Sequence, residues 1–521
     1  MDPEFGPIIG ANSHKTEGTN LSVVAAEALS LRWRSLSEQG EGQTMNRRLY
    51  SMLRTAVLDG SLPPSARLPA TRELAAELGL SRNTVTHAYD QLMAEGYLTA
   101  LTGSGTYVTP VLPERALWAD APQPPSAKQG KRTSATLSER GSELVQAARA
   151  SSAHWGAFVP GVPDVTAFPH RKFGQLLARW RRQPEAPWLS YTAGGGHLHL
   201  RETLASYLRQ SRSVQCEADQ IVITEGTHQA FDLVSRLMAD QGDLAWVEEP
   251  GYWGLRSLLQ INGLKIHAQP VDEAGMQIES GYWKTPPRLI FVTPSHQYPL
   301  GSVMSLRRRL QLLEQAERYG SWIIEDDYDS EFRYEGHPIP SLQGLVPDAR
   351  VIYAGTFSKT AYPALRLAYL VLPRSLADAF RQAYPQIYRH GQMSTQAALA
   401  EFIEQGHHAA HIRRMRLVYA QRRQMLHDLI SRRIGPEHIH PYDSTAGLHL
   451  VLQLPPTLRD KKVVEAAASA GIVVRALSNY YQQETSPQGL LLGFACVPEN
   501  RMLPAFETLL DTIQKVQRNG K

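Results

Sequence analysis

Between residues 45 and 110 the apolar positions first recur at helical spacing and then at strand spacing. Leu49, Met52, Leu53, Ala56 and Val57 follow the i, i+3, i+4, i+7, i+8 pattern of an amphipathic helix. A turn follows at Gly60-Ser61-Leu62-Pro63-Pro64. Thr71 is placed to cap a second helix carrying Leu74, Ala75 and Leu78, which Gly79 breaks. Ser81 caps a third helix with Val85, Ala88, Tyr89, Leu92 and Met93 on its apolar face. Tyr97-Leu98-Thr99 and Thr106-Tyr107-Val108 read as two strands joined near Gly103-Ser104-Gly105. A further helical pattern at 20–38, with Leu21, Val24, Ala25, Ala28, Leu29, Leu31 and Trp33, precedes this zone without an evident role.

Residues 151–521 carry a different pattern. Short apolar runs alternate with amphipathic segments, as in Gln220-Ile221-Val222-Ile223, Leu289-Ile290-Phe291-Val292, Ser321-Trp322-Ile323-Ile324 and Val351-Ile352-Tyr353-Ala354. Buried strands alternating with helices predict an α/β domain with a largely parallel central sheet. Between the zones, residues 111–150 hold Pro113, Pro122, Pro124 and Pro125 with few large apolar groups, the composition of a linker. The organisation is therefore an N-terminal extension (1–44), a small helical domain with a hairpin (45–110), a linker (111–150) and a large α/β domain (151–521).

Composition narrows the function classes. A chain of 521 residues exceeds one ordinary core. With 42% apolar and 20% charged residues it is globular rather than disordered. Two cysteines, Cys216 and Cys496, build neither a disulfide framework nor a four-Cys zinc site, and no metal site is expected. A reducing, cytoplasmic setting fits. The longest apolar runs, such as Leu367 to Leu372, are far short of the roughly 20 residues that span a bilayer. The acidic start, Met1-Asp2-Pro3-Glu4-Phe5, has no signal-peptide apolar region and reads as partly tag-like. The formal charge of +4 neither demands nor excludes nucleic acid.

Two short helices joined through Gly79-Leu80 have the form of a helix-turn-helix. Ser81, Arg82, Asn83, Thr84 and His87 sit at the N-terminal, outer side of the third helix, where base edges and phosphates are read. The bland reading is a small helical cap with polar faces. Total charge does not decide between the two, because residues 45–110 hold six arginines against five acids. The placement of Arg67, Arg72 and Arg82 carries the case. The runs Arg67-Leu68-Pro69-Ala70-Thr71-Arg72-Glu73-Leu74-Ala75, Leu80-Ser81-Arg82-Asn83-Thr84-Val85, Glu95-Gly96-Tyr97-Leu98 and Gly103-Ser104-Gly105-Thr106-Tyr107-Val108 closely resemble the GntR family of winged helix-turn-helix repressors. That resemblance implies DNA contacts from Arg72, Arg82 and Thr84, with Arg67, Ser81 and Asn83 alongside and the wing glycines Gly103 and Gly105 in the minor groove. One departure is Ser65, where the family usually has Gly.

In the large domain, the strand Val351-Ile352-Tyr353-Ala354-Gly355-Thr356 runs into Phe357-Ser358-Lys359. A lysine at the carboxyl end of such a strand stands where α/β sheets place ligands and can form a Schiff base with a carbonyl cofactor. The preceding strand ends in Glu325-Asp326-Asp327-Tyr328. A carboxylate there can pair with a protonated pyridine nitrogen, and Tyr328 with a phenolic oxygen, as pyridoxal phosphate requires. Thr224-Glu225-Gly226-Thr227-His228 opens a helix whose N–H groups can bind phosphate. Thr356 and Arg366 can serve the same phosphate, and Tyr252 can stack on the ring. Taken singly, each is ordinary: a lysine after serine is usually on the surface, Asp-Asp-Tyr is usually a strand end, and Pro-Gly-Tyr is usually a turn. Their joint order at strand ends is hard to reach by accident.

Residues 151–521 look like a fold-type I pyridoxal-phosphate aminotransferase. Fused to the GntR-type reader, with Thr293-Pro294-Ser295-His296-Gln297-Tyr298-Pro299-Leu300-Gly301 and Glu325 to Phe332, the chain resembles the MocR subfamily of regulators. By that resemblance Lys359 carries an internal aldimine and Asp326 pairs with the pyridine nitrogen. Tyr328 contacts the ring hydroxyl, Tyr252 stacks, and Thr227, His228, Thr356, Arg366 and His296 complete the cofactor site. Two departures stand out. The Asn-Pro-Thr-Gly loop of aminotransferases is Tyr298-Pro299-Leu300-Gly301 here, and Leu491 stands where their carboxylate-binding arginine is expected. Arg475 is the best substitute for an effector carboxylate. The expectation is a homodimeric, domain-swapped regulator that binds operator DNA and senses pyridoxal phosphate, or an amine or amino acid effector, at Lys359. The rival is a working aminotransferase with an accessory DNA-binding module, and a third possibility is a scaffold that binds no cofactor.

Overall fold

The structure is a computed structural model that describes residues 29–34, 44–101, 104–110, 137–138, 140–142, 144–145 and 155–519, apart from 193, 280, 337–338, 390, 444 and 483–485. The chain divides into two compact units, Met1–Ser134 and Ala135–Lys521. Most of the expected linker, and Gly103, lie outside the described residues.

In the first unit the expected helices form at Met45–Leu58, Thr71–Leu78 and Arg82–Ala94. Strand β1 (Leu98–Leu101) pairs antiparallel with β2 (Gly105–Val108), Leu98 opposite Val108. Leu49, Leu53, Leu74, Val85, Leu92 and Val108 are fully buried together. Burying each such side chain is worth about 1.5–3 kcal/mol. Gly79 takes the left-handed conformation that ends the second helix, and the Ser81 hydroxyl accepts from the Thr84 N–H to start the third. Thr71 does not cap: it is already helical, Ala70 holds the cap position, and no side-chain bond forms there. Ser65 has φ +64, a backbone state that favours glycine, the residue the resemblance led one to expect here. Residues 29–34 are helical, and Leu29 and Trp33 join the same core. The Arg48 guanidinium lies 5.5 Å from the Trp33 ring, and Arg32 pairs with Asp59. Part of the N-terminal extension is thus built into this domain.

The second unit is organised by one eight-stranded sheet: β3 (Ile221–Thr224), β4 (Leu244–Glu249), β5 (Lys265–Asp272), β6 (Gly275–Met276), β7 (Leu289–Val292), β8 (Trp322–Asp327), β9 (Val351–Thr356) and β10 (Ala368–Val371). Their order is β3-β10-β9-β8-β7-β4-β5-β6. Strands β9, β8, β7, β4 and β5 run parallel, β10 runs against both its neighbours, and β6 is a short antiparallel return. Every residue of β3, β7, β9 and β10 is buried, as sheets covered on both faces require. The pleat divides them between faces: Tyr353 packs with Leu200 and Leu204 on one side, Ile352 and Ala354 with Phe231 and Leu255 on the other. A smaller antiparallel sheet, β11 (His449–Gln453), β13 (Gly489–Gly493) and β12 (Arg475–Ala476) in that order, packs on helices His407–Arg433, Asp460–Ser469 and Glu499–Asn519.

The acidic run after Ile324 belongs to the strand's end, as the sequence pattern implied. Strand β8 continues through Asp327, because β9 pairs with it up to Asp327↔Gly355.

Candidate functional site

Extending β8 through its acids is what sorts them. Alternate residues point to opposite faces. Asp327 turns to Arg212, whose Nε lies 2.7 Å away, and accepts from the Tyr353 hydroxyl at 2.6 Å. Glu325 accepts from the backbone N–H groups of Leu342 and Gln343. Asp326, between them, faces the other way into a cavity also lined by Tyr252, Glu248, Thr293 and Tyr298. Its Oδ1 is buried without a hydrogen-bond partner. Burial, aided by Asp327 and opposed by Lys359, pushes its carboxyl up to about 8.

Lys359 follows β9, the strand next to β8. Its Nζ donates to the carbonyl of Gly161 at 2.6 Å. Gly161 has φ +73, and a Cβ there would come within 3.1 Å of the Lys359 Nζ. Burial lowers the lysine from its usual range, against the opposing charges of Asp329 and Asp326.

Sheet register assembles a second group of residues. Ala368 in β10 stands opposite both Thr224 of β3 and Thr356 of β9, so three strand ends meet. Gly226, φ +97, precedes the helix Thr227–Met238. A Cβ on Gly226 would approach the Arg366 Nη2 to 2.8 Å. Arg366 donates to the Glu225 carbonyl at 2.7 Å. The Thr356 hydroxyl bonds Ser358 at 3.0 Å. Helix-start N–H groups, a guanidinium and hydroxyls around glycine backbone are groups able to hold a phosphate. His228, next to Thr227, bonds the Tyr252 hydroxyl at 2.6 Å and is lowered by burial and by Arg366.

Tyr328 bonds the Nδ1 of His296 at 2.9 Å, and His296 Nδ1 lies 3.1 Å from both Asp329 oxygens. His296 is buried behind Tyr328 and reaches the site through that phenol. On β12, Arg475 stands directly across from Leu491 of β13. The two positions therefore stand at the same level of the sheet on neighbouring strands.

The residues expected at the nucleic-acid surface lie on the first unit. Arg67, Arg72, Ser81, Arg82, Asn83 and His87 are exposed, and Thr84 is partly so. The Arg67 backbone bridges to Tyr107, and its guanidinium runs alongside Gly105 in the wing. Ser81 is engaged locally, its hydroxyl 2.8 Å from that of Thr84.

Several site residues were not anticipated from the sequence. Gly161 lies 198 positions from Lys359 and carries no motif. Asp329 and Glu249 stand in the runs that carry Tyr328 and Tyr252 but had no role assigned to them, and Arg256 and Tyr480 carry no sequence signal. Among the described residues no group of three or more His, Cys, Asp or Glu could hold a metal ion, and no helix is long and apolar enough to cross a membrane.

Comparison with known proteins accounts for both units. Residues 45–108 match the bacterial regulatory proteins of the gntR family, and residues 175–508 match aminotransferase class I and II. A probable rhizopine catabolism regulatory protein MocR of Rhizobium meliloti is 38% identical over 477 residues, covering 91% of this chain and 95% of that protein. The HTH-type pyridoxine biosynthesis transcriptional regulator PdxR of Corynebacterium glutamicum is 33% identical over 470 residues, 89% and 95% of the two chains. Among solved structures, a Pyrococcus horikoshii kynurenine aminotransferase in complex with PMP matches with a TM-score of 0.63 at 25% identity, over 74% of this chain and 96% of its own. The α-aminoadipate aminotransferase LysN of Thermus thermophilus, complexed with a phosphopyridoxyl-leucine, matches with a TM-score of 0.64 at 23% identity, over 73% and 96%. The large domain has the fold-type I architecture, whose cofactor is pyridoxal 5′-phosphate.

Proposed function

The chain belongs to the MocR-type branch of the GntR-family regulators, and from that premise we propose that it regulates transcription by binding operator DNA and sensing an amine, an amino acid or pyridoxal phosphate at Lys359. The observation that carries this reading is the unpartnered Oδ1 of Asp326, buried on the strand beside the one that leads to Lys359. Asp326 offers a buried oxygen with no partner, which suits a protonated pyridine nitrogen. Bound, the cofactor supplies an aldehyde that condenses reversibly with amines and a ring that draws electrons.

The chain's own residues divide the rest of the work. Burial favours the neutral amine of Lys359, the nucleophilic form, while the Gly161 carbonyl orients it. Thr227, Thr356 and Arg366 hold the phosphate, with His228 set beside them against Tyr252. Tyr252 covers the ring. Tyr328, fixed by His296 and Asp329, holds its proton toward the ring hydroxyl. Arg475 takes an effector carboxylate. With Leu491 in place of the aminotransferase arginine, binding is favoured over turnover. On the DNA side, Arg72, Arg82, Asn83 and Thr84 read the major groove while Arg67 and Gly105 approach the backbone. A homodimer, with domains exchanged between protomers, would present two readers to paired half-sites.

The test is borohydride treatment of protein loaded with pyridoxal phosphate, followed by peptide mass analysis. A pyridoxyl group fixed on Lys359, and absent from a folded Lys359→Ala variant, is the expected result. A wild-type protein that takes no label at Lys359 overturns the reading. Multiple-turnover keto-acid formation from an amino donor would instead favour a working aminotransferase.

A further inference from the structure

One half-buried arginine outside the cofactor set is engaged through both terminal nitrogens by a distant stretch of chain. Arg256 lies one helical turn beyond Tyr252, on the helix Trp253–Ile261. Its Nη1 donates to the Tyr480 carbonyl at 2.8 Å and its Nη2 to the Asn479 carbonyl at 3.0 Å. Nη1 also lies 3.4 Å from Glu249 Oε2, with side chains 12% and 6% exposed. Glu249 in turn accepts from the Gln482 N–H at 2.5 Å. The Gly251 N–H makes a further bond to the Tyr480 carbonyl at 3.1 Å. Four hydrogen bonds therefore fasten Asn479–Gln482 to the stretch Glu249–Arg256 that carries Tyr252. A planar guanidinium suits this task, because its fork can serve two adjacent carbonyls and a carboxylate at once.

The fastened segment faces the site. It begins inside the turn Leu477–Tyr480, which directly follows Arg475–Ala476 of β12. The Tyr480 hydroxyl lies 3.0 Å from that of Tyr298, and the two rings meet edge to face at 5.3 Å. Tyr298 stands in turn edge to face with Tyr252 at 6.1 Å and Tyr328 at 5.7 Å. Tyr480, Tyr298, Leu477 and Leu491 form one apolar cluster with Trp253 against it.

We propose that Arg256 is a positioning residue of the effector pocket, latching Asn479–Gln482 onto the Tyr252 segment so that Tyr480 and Arg475 are held at a fixed place relative to the cofactor ring. The proposal rests on the cofactor and carboxylate assignments above. It makes Arg256 act only through Tyr480 and the turn after Arg475, with no contact to effector. A pocket wall pre-set in this way spares an incoming ligand the ordering of a loop.

The test compares wild type, Arg256→Lys and Arg475→Ala, each loaded with pyridoxal phosphate. Two probes are used: aminooxyacetate, which carries a carboxylate, and methoxyamine, which does not. Wild type should react faster with aminooxyacetate. Arg256→Lys keeps the charge beside Glu249 but loses the fork, and should cut that preference roughly tenfold, the scale of a lost charged hydrogen bond. Amide hydrogen exchange at residues 477–482 should speed up in the same variant. Arg475→Ala should lose the preference without faster exchange. An Arg256→Lys protein with wild-type preference and wild-type exchange overturns the latch. So does one in which both rates fall together at an unchanged ratio, since that is general destabilisation. A wild type inert to both probes fails the cofactor reading instead, and one that reacts equally with both fails the Arg475 reading; the latch falls with either.

Discussion

Asp326→Asn should stabilise the cofactor-free protein and weaken its hold on the cofactor. In the folded, cofactor-free chain burial moves this carboxyl from the usual 3.8 up to about 8, with Asp327, Asp329 and Glu248 adding to the rise and Lys359 opposing it. The unfolded chain ionises near the ordinary value. Between those two values the folded state binds a proton that the unfolded state has released. Stability therefore falls as pH rises through that window and levels off above about 8. At about 1.4 kcal/mol per pH unit, the full effect between pH 5 and pH 8 is about 4 kcal/mol. Asp326 keeps part of its exposure, so an expected value of about 2 kcal/mol allows for solvent screening. Asparagine does not titrate. The stability difference between variant and wild type should therefore grow in the variant's favour by about 2 kcal/mol from pH 5 to pH 8. Urea unfolding of the cofactor-free proteins at the two pH values measures it. A difference that does not change with pH refutes the buried-carboxyl argument. Loading with pyridoxal phosphate should reverse the ranking, because asparagine cannot offer a charge to the ring nitrogen.

Ser65→Gly should raise the melting temperature of the N-terminal domain, since φ +64 strains a serine by about 1 kcal/mol; a lower melting temperature would contradict this. Arg82→Ala should weaken operator binding by about 1–3 kcal/mol in a gel shift at fixed salt, and an unchanged shift removes Arg82 from the reading surface. Arg212→Met should cost about 3–5 kcal/mol in denaturant unfolding, because it strips the buried Asp327 of its 2.7 Å partner. Adding Asp327→Asn should recover part of that loss, and no recovery would show that the pair is not what Arg212 stabilises.

Elements defined by hydrophobic period were readable in the chain: the three reader helices, β7 at its observed bounds, and the helix opening at Thr227. The positions of Thr356, Lys359 and Arg366 around the end of β9 were readable too, because hydroxyl, lysine and arginine close to one strand end stand close in sequence. What could not be read was fixed by distant pairing. The end of β8 depends on how far β9 accompanies it, and that alone decides which of three adjacent acids faces the cavity. The Thr71 cap failed because Ala70 already holds the extended cap backbone. The packing of Leu29 and Trp33 depends on a surface made by the helix at 45–58, invisible in the pattern of 20–38 itself. The Arg256 latch joins positions 223 and 224 apart with no shared motif.

Leu491 and Arg475 face each other across one strand spacing. Neighbouring strands lie about 4.8 Å apart. On the reading that Arg475 takes an effector carboxylate, a cation set sideways by that step would change the gauge of the pocket: the distance between a bound aldehyde and the anchoring charge would be reset while the strands themselves keep their places. A compound cut to the length of an ordinary aminotransferase substrate would then be mis-sized. One of different reach or curvature would bridge the two ends, and the same fold would then measure a different molecule.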